Sequence, residues 1–231
     1  MENKSKKVSR VFNSVAKKYD LMNDLMSFGV HRFWKKFTVL KSGVRKGFKV
    51  LDVASGTADL ALIFAKKVGE TGEVWHTDLN ESMLKIGRDR IINSGYLLPS
   101  ILCDAEKMPF SNNYFDIVVV GFGLRNMSDI DESLKEFYRI IKPGGKLLVL
   151  EFSKVDNFFQ KPYEKYSEII LPFLGKVVLN DEDSYKYLIE SIKLHPDQTT
   201  LKKIIKESGF DRVSFLNLSF GIVALHEGIK F

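Results

Sequence analysis

This 231-residue sequence predicts an α/β fold, a doubly wound and mostly parallel sheet of seven strands, and three observations predict it. From Phe48 to Phe152, short apolar runs alternate with stretches of helical spacing, the rhythm of a parallel sheet covered on both faces. The first run, Val50-Leu51-Asp52-Val53-Ala54, passes directly into the small-residue turn Ser55-Gly56-Thr57-Ala58-Asp59. Backbone can approach a ligand closely there, because no bulky side chain intervenes. The next run, Glu73-Val74-Trp75-His76-Thr77, ends at Asp78, 22 positions after Gly56, where a carboxylate can accept both hydroxyls of a ribose.

The elements follow in order. Residues 10 to 41 carry helical spacing, with Phe12, Val15, Tyr19 and Met22 on one face and Phe33, Phe37 and Leu40 on another. Strands are expected over 48–54, 73–78, 98–103, 115–121 and 146–152, with helices over 58–68, 81–93 and 129–141. Ser111-Asn112-Asn113 supplies a turn before the fourth strand, Ser128 with Asp131 a capping box, and Lys142-Pro143-Gly144-Gly145 a break between helix and strand. Residues 153–194 interrupt the alternation. They are rich in aromatic residues and contain Ile169-Ile170-Leu171-Pro172-Phe173-Leu174, too apolar for a simple surface loop, so helices forming a lid are expected. A helix over about 197–208 follows, ended by Gly209. The runs 211–218 and 221–227 are joined so tightly by Ser219-Phe220 that they must pair antiparallel. One domain spans 1–231: a helical N-terminal cap (1–47), a core sheet (48–152 and 195–231) and the lid insertion (153–194).

Composition narrows the classes. A hydrophobic fraction of 45% and a charged fraction of 28% suit one full core. The single cysteine, Cys103, excludes a disulfide framework and points to a reducing, cytoplasmic setting. No apolar run reaches the roughly 18 residues of a membrane span, and Met1 to Lys7 is charged, unlike a secretory signal. Residues 1–49 hold thirteen lysines and arginines against three acidic residues, a net of +10, and the remainder of the chain is at −4. A basic segment carrying Phe12, Phe28, Phe33, Trp34 and Phe37 suits an anionic membrane surface on the inner face of a bilayer, or a nucleic acid; a solvated helical face would carry the same residues. The four histidines are scattered without ligand spacing, so no metal is expected.

The turn chemistry selects among nucleosides. A dinucleotide site uses G-x-G-x-x-G to receive a pyrophosphate, and this turn offers only Gly56. A nucleoside with an amino-acid tail and no phosphate fits better, with Asp52 and the turn amides meeting its ammonium and carboxylate, and Asp78 its ribose. That is S-adenosylmethionine. After the third strand, Asp104 and Ala105 fall beside the adenine, unless Asp104 only caps a short helix. After the fourth come Gly121-Phe122-Gly123-Leu124-Arg125-Asn126-Met127, where two glycines make room. There Arg125 and Asn126 place a fixed cation and an amide beside a developing oxyanion, unless the arginine merely bridges two helices.

These residues carry a resemblance. Val11-Phe12, Tyr19-Asp20-Leu21-Met22-Asn23-Asp24, Gly121 through Asn126, Lys142-Pro143-Gly144-Gly145, Leu150-Glu151-Phe152-Ser153, His195-Pro196-Asp197-Gln198 and Ala224 through Phe231 are similar to the ubiquinone/menaquinone biosynthesis C-methyltransferases over nearly the whole chain. The resemblance implies a Rossmann-like class I methyltransferase, S-adenosylmethionine as donor, and methylation of a ring carbon on a polyprenylated benzoquinol or naphthoquinol. It places cofactor contacts at Thr57, Asp78, Asp104 and Ala105 and the substrate-side motif at Arg125 and Asn126. Ser55 and Ala58 stand where the family often has glycine, and Gly121 where some members have serine. The rival readings are a nucleic-acid methyltransferase and a non-catalytic scaffold of a quinone-biosynthesis complex. A homodimer is left open.

Overall fold

In the computed structural model, which describes residues 4–167 and 182–231, one seven-stranded sheet has the strand order β3-β2-β1-β4-β5-β7-β6. The strands are β1 (Lys49–Val53), β2 (Glu73–Asp78), β3 (Ser100–Leu102), β4 (Phe115–Gly121), β5 (Ile141–Phe152), β6 (Ser214–Leu218) and β7 (Val223–Ile229). The first five pair in parallel, as β-α-β crossovers require, and β7 runs antiparallel between β5 and β6. Ser219 and Phe220, both with positive φ, make the short turn that forces the β6–β7 pairing. Strand β5 begins earlier than the sequence suggests. Ile141 already pairs with Phe115, and the register then jumps so that Lys146 pairs with Ile117, with Lys142-Pro143-Gly144-Gly145 carried in the irregularity.

Preceding the sheet are α1 (Lys4–Val15), α2 (Tyr19–Ser27) and α3 (Val30–Ser42). The crossover helices are α4 (Asp59–Val68), α5 (Glu81–Asn93) and α6 (Ile130–Ile140), followed by α7 (Asn157–Lys165), α8 (Glu182–Leu194) and α9 (Gln198–Glu207). Each sheet face has its own apolar layer. Val50, Ile117, Val119, Leu148 and Leu225 pack with α4 on one side, and Leu51, Val118, Val120, Leu147 and Val149 pack with α6 and α9 on the other. Fully buried side chains such as Phe64, Phe137 and Leu134 each contribute about 1.5–3 kcal/mol relative to exposure.

Three local expectations are corrected. The cap of α6 is Asp129, whose carboxylate accepts from the Glu132 amide at 3.0 Å, so Ser128 and Asp131 do not form the capping box; the acceptor must precede the first helical residue, and that residue is Ile130. On α3 the buried face is His31, Trp34, Lys35, Thr38 and Val39, while Phe33 and Leu40 are 60% and 76% exposed, and of that apolar stripe Phe37 alone packs against the core. The third strand is three residues long instead of six. The expected lid is helical at Asn157–Lys165 and Glu182–Leu194; Ile169-Ile170-Leu171-Pro172-Phe173-Leu174 lies outside the described residues.

Candidate active site

Between β1 and β4 the strand order reverses direction, the switch point at which doubly wound sheets open a crevice at their carboxyl ends. A cavity of about 340 Å³ lies there, within the range of small-molecule sites. Gly56, Asp78, Asp104, Ala105, Phe122, Gly123 and Asn126 line it, and Val8, Ser9 and Phe12 of α1 reach it from above. Asp78 organises its floor: the Gly56 amide donates to Oδ2 at 2.9 Å and the Asn80 amide to Oδ1 at 2.8 Å. Burial raises the acid's pKa above the usual carboxylate range. Each oxygen keeps a further lone pair for a ligand hydroxyl.

The turn that leads from β1 into α4 is bent by left-handed backbone at three alternate positions: Ala54, Gly56 and Ala58 have φ of 51°, 54° and 63°. The two alanines stand where glycine would be free of strain, at a cost of about 1–2 kcal/mol each. Gly123 is required by close approach, since a Cβ there would come within 2.6 Å of the Ala54 Cβ.

Three of the sequence-predicted contacts fall elsewhere. Asp52 is 1% exposed, accepts from the Ala61 amide at 2.9 Å and is absent from the cavity wall; burial pushes its pKa up to about 7. Thr57 is also buried off the wall, its hydroxyl donating to Asp20 Oδ1 at 2.7 Å. Asp20 in turn receives Arg90, which also pairs with Asp59 at 2.6 Å, as does Lys35. That network ties α2 and α3 to α4 and α5. Gly121 packs against Leu60, whose Cδ1 would lie 2.6 Å from a Cβ at that position, and does not reach the cavity. Residues of opposite parity on a strand face opposite sides of a sheet, so the exact strand-end position decides which residue reaches the crevice.

A second cavity of about 460 Å³ adjoins the first, the two sharing Phe12, Tyr19 and Phe122. Its wall is mostly apolar: Met22, Met26, Trp34 and Phe152, with Phe159 and Tyr163 from α7 and Leu188 and Ile192 from α8. Arg125 lines this cavity and Asn126 the other, so the pair straddles the boundary. Arg125 is held firmly. Its Nη1 donates to Glu151 Oε1 at 2.7 Å and to the Phe122 carbonyl, and the two side chains are 6% and 1% exposed. Its Nε is buried with no hydrogen-bond partner among the described residues. The arginine is therefore both a bridge and a donor with one group unspent. The Asn126 Oδ1 accepts from the Tyr187 hydroxyl at 2.8 Å. Burial raises the pKa of Tyr163 to about 12 and raises that of Tyr187, keeping both neutral.

Spacing puts Tyr19 and Met22 on one helical face, and residues 153–194 read as an aromatic insert suited to an isoprenoid tail, but that α2, α7 and α8 meet around one cavity is not legible, because helical spacing shows a face without showing what it meets. Sequence reasoning missed His31, buried at the start of α3 and lining that same cavity. Among the described residues no group of three His, Cys, Asp or Glu side chains is arranged to hold a metal. Cys103 lines the first cavity and burial raises its thiol pKa to about 11, which suits packing better than nucleophilic chemistry.

This strand order, with a carboxylate-floored crevice at the β1–β4 switch point, is the architecture of the S-adenosylmethionine-dependent methyltransferases. Solved structures agree on the fold: a methyltransferase of that kind from Aquifex aeolicus matches with a TM-score of 0.65 at 17% identity, covering 87% of this chain and 92% of that one. The putative methyltransferase in complex with the Trm112 activator from Haloferax volcanii matches with a TM-score of 0.70 at 16% identity, covering 96% of each. The chain belongs to the ubiE/COQ5 methyltransferase family, whose model matches residues 1–230. It is 59% identical to the ubiquinone/menaquinone biosynthesis C-methyltransferase UbiE of Paraburkholderia phymatum, over 100% of this chain and 95% of that protein. The UbiE protein of Burkholderia vietnamiensis is also 59% identical, over 99% and 94%. The chain is thus an S-adenosylmethionine-dependent methyltransferase.

Proposed function

We propose that the chain is a C-methyltransferase of ubiquinone and menaquinone biosynthesis, acting on a ring carbon of a polyprenylated quinol. The observation that carries the reading is the apposition of two unlike cavities. One is the more polar of the two and is floored by a carboxylate, and the other is almost wholly apolar, with the buried Arg125 guanidinium at their junction.

The residues fit S-adenosylmethionine, which when bound supplies an electrophilic methyl group on a sulfonium. Asp78 accepts the ribose hydroxyls, Asp104 and Ala105 face the adenine, and Gly56 with the turn backbone leaves room for the amino-acid tail. Gly123 and Asn126 border the methyl-bearing end. The enzyme's main task is to hold the ring carbon roughly 3–3.5 Å from the methyl carbon, in line with the sulfur. Phe122, shared by both cavities, is placed to set that separation. A quinol carbon becomes a good nucleophile only when its hydroxyl gives up a proton. The Arg125 guanidinium, held at the junction, then stabilises the oxyanion by its charge inside an apolar wall, where such an interaction is worth more than in water. Glu151 holds that guanidinium in place and limits its net charge.

The isoprenoid tail leaves by the apolar side. Phe28 and Phe220 line the mouth of the second cavity and are 78% and 64% exposed, with Phe158 and Phe33 also outward. Together with the +10 segment they favour an anionic lipid surface, the store of such a substrate. Among the described residues no helix is long and apolar enough to cross a membrane, so contact would be peripheral. The nucleic-acid and scaffold readings draw no support: the acceptor cavity is walled by aromatic and aliphatic side chains rather than by phosphate-binding cations.

The deciding experiment incubates purified protein with methyl-labelled S-adenosylmethionine and each reduced quinone precursor, benzoquinol and naphthoquinol, and reads methyl gain by mass spectrometry. Failure to methylate either would overturn the reading. Flotation with anionic liposomes at low salt tests the peripheral contact, and no recruitment would remove it.

A further inference from the structure

We propose that His31 is the general base that takes the ring hydroxyl proton of the acceptor, its role fixed by the α2–α3 corner. The inference rests on the quinol reading above and names the proton acceptor that reading requires.

The corner is built around this ring. Two successive residues with positive φ, Phe28 at 49° and Gly29 at 74°, turn α2 into α3. The turn brings the His31 Nδ1 to 2.9 Å from Ser27 Oγ, and the His31 backbone amide donates to the same oxygen at 3.2 Å. Ser27 has one hydroxyl proton, and it is spent on the Asn23 carbonyl at 2.7 Å. Ser27 Oγ is therefore an acceptor toward the imidazole, so Nδ1 carries the hydrogen and Nε2 carries the lone pair. Among the described residues Nε2 has no hydrogen-bond partner. His31, Ser27 and Asn23 all line the apolar cavity that Arg125 lines.

The surroundings suit a base. Burial, the largest influence, holds the His31 pKa below its usual value, so the ring is neutral and ready at physiological pH. On protonation the charge is met by Asp24 of α2, whose Oδ1 lies 3.8 Å from Nδ1 and which the Arg32 hydrogen bond keeps ionised. The other charges that bear on it are Arg32 and Lys35 on its own helix and Asp59 of α4, with Arg125, paired to Glu151, on the wall of the same cavity. Arg125 cannot fill the role, since a guanidinium does not deprotonate in proteins.

The bookkeeping closes. The quinol O–H bond breaks, an Nε2–H bond forms, and the electron pair left on oxygen moves into the ring. The ring carbon then bonds to the methyl carbon as the methyl–sulfur bond breaks and leaves its pair on sulfur. The hydrogen on that ring carbon departs as a proton to water, and the imidazolium returns its proton to the quinol oxygen. One proton is released for each methyl transferred.

The test has an activity arm and a spectroscopic arm. His31→Asn keeps a donor toward Ser27 and deletes Nε2; turnover on the quinol should fall by about 10²-fold or more, while affinity for S-adenosylhomocysteine stays within threefold. In the wild type kcat/KM should fall on the acid side with an apparent pKa below the ordinary histidine value of about 6.5, a limb missing from the variant. Nitrogen-15 NMR of histidine-labelled protein should show His31 as the Nδ1–H tautomer, with its resonance assigned from the variant. A turnover loss under tenfold, or an Nε2–H tautomer, overturns the proposal. Should His31→Asn fail to fold, the wild-type pH profile and the tautomer decide. A wild type that methylates no quinol would instead defeat the functional reading.

Discussion

Replacing Glu151 by glutamine isolates the most consequential buried charge in the molecule. The Arg125–Glu151 contact of 2.7 Å, between side chains 6% and 1% exposed, has a gross Coulomb attraction of about 6 kcal/mol at an effective dielectric of about 20. Much of that offsets the desolvation of both ions, so the pair adds little net stability. Removing one partner is different, because it strands the other charge at a cost of about 3–5 kcal/mol. For a domain of this size each kcal/mol moves the melting temperature by roughly 2–4 °C, so Glu151→Gln should melt some 6–20 °C below the wild type. Glutamine retains an acceptor for one of the two backbone amides, of Arg125 and Phe152, that Glu151 now serves, so loss of charge dominates. Urea titration of Glu151→Gln, Arg125→Met and the double variant completes a cycle. The double variant should recover much of the loss, since no unpaired ion remains buried. If Glu151→Gln costs less than about 1 kcal/mol, the value of an exposed pair, the guanidinium is hydrated and its role in stabilising a dry oxyanion fails.

Asp78→Ala removes the acceptor for the Gly56 and Asn80 amides as well as the ribose contact; calorimetric titration with S-adenosylhomocysteine should show affinity falling by at least tenfold, more than turnover at saturation falls. Gly123→Ala forces a Cβ to 2.6 Å from that of Ala54; it should weaken the same titration and, at about 1–3 kcal/mol for overpacking, lower the melting temperature by roughly 2–12 °C. His76 and His226 are buried neutral, with burial lowering both to a pKa of about 4. The unfolded chain takes up their protons near pH 6.5 and the folded one near 4, so their contribution to stability is lost as pH falls across that window. At pH 5 the loss is about 2 kcal/mol for each. Asp52, raised to about 7, works the other way over an overlapping range. Stability lost between pH 7.5 and 5 should therefore be about 2 kcal/mol smaller in His226→Gln than in the wild type, measured by urea titration.

Much of the fold could be read along the chain because period and turn chemistry are local. Continuous apolar runs from Val50, Val74 and Ile117, with helical spacing between them, leave few ways to bury both faces of a sheet, and the short link at Ser219-Phe220 admits only an antiparallel pair. Asp78 and Gly56 were legible for the same reason: a carboxylate at one strand end and a small-residue turn at the neighbouring one must meet when the strands are adjacent and parallel. The N-terminal helices were legible as helices but not as to which face turns inward. Phe33 and Leu40 share a stripe on α3 that spacing alone suggests is buried, yet Trp34, Thr38 and Val39 are the side that α4 and β5 cover.

The sequence by itself determined the strand alternation, the carboxylate-and-turn crevice and the class of ligand it suits, since each depends on residues close in the chain or on neighbouring strands. Only the tertiary structure decided that Asp52, Thr57 and Gly121 are spent on packing and internal hydrogen bonds. It alone set Arg125 against Glu151 across 26 positions, and it alone brought His31 into a cavity shared with α7 and α8. Partners so distant in sequence are chosen by how helices dock and which side of a strand end faces the crevice, and neither leaves a period to be read.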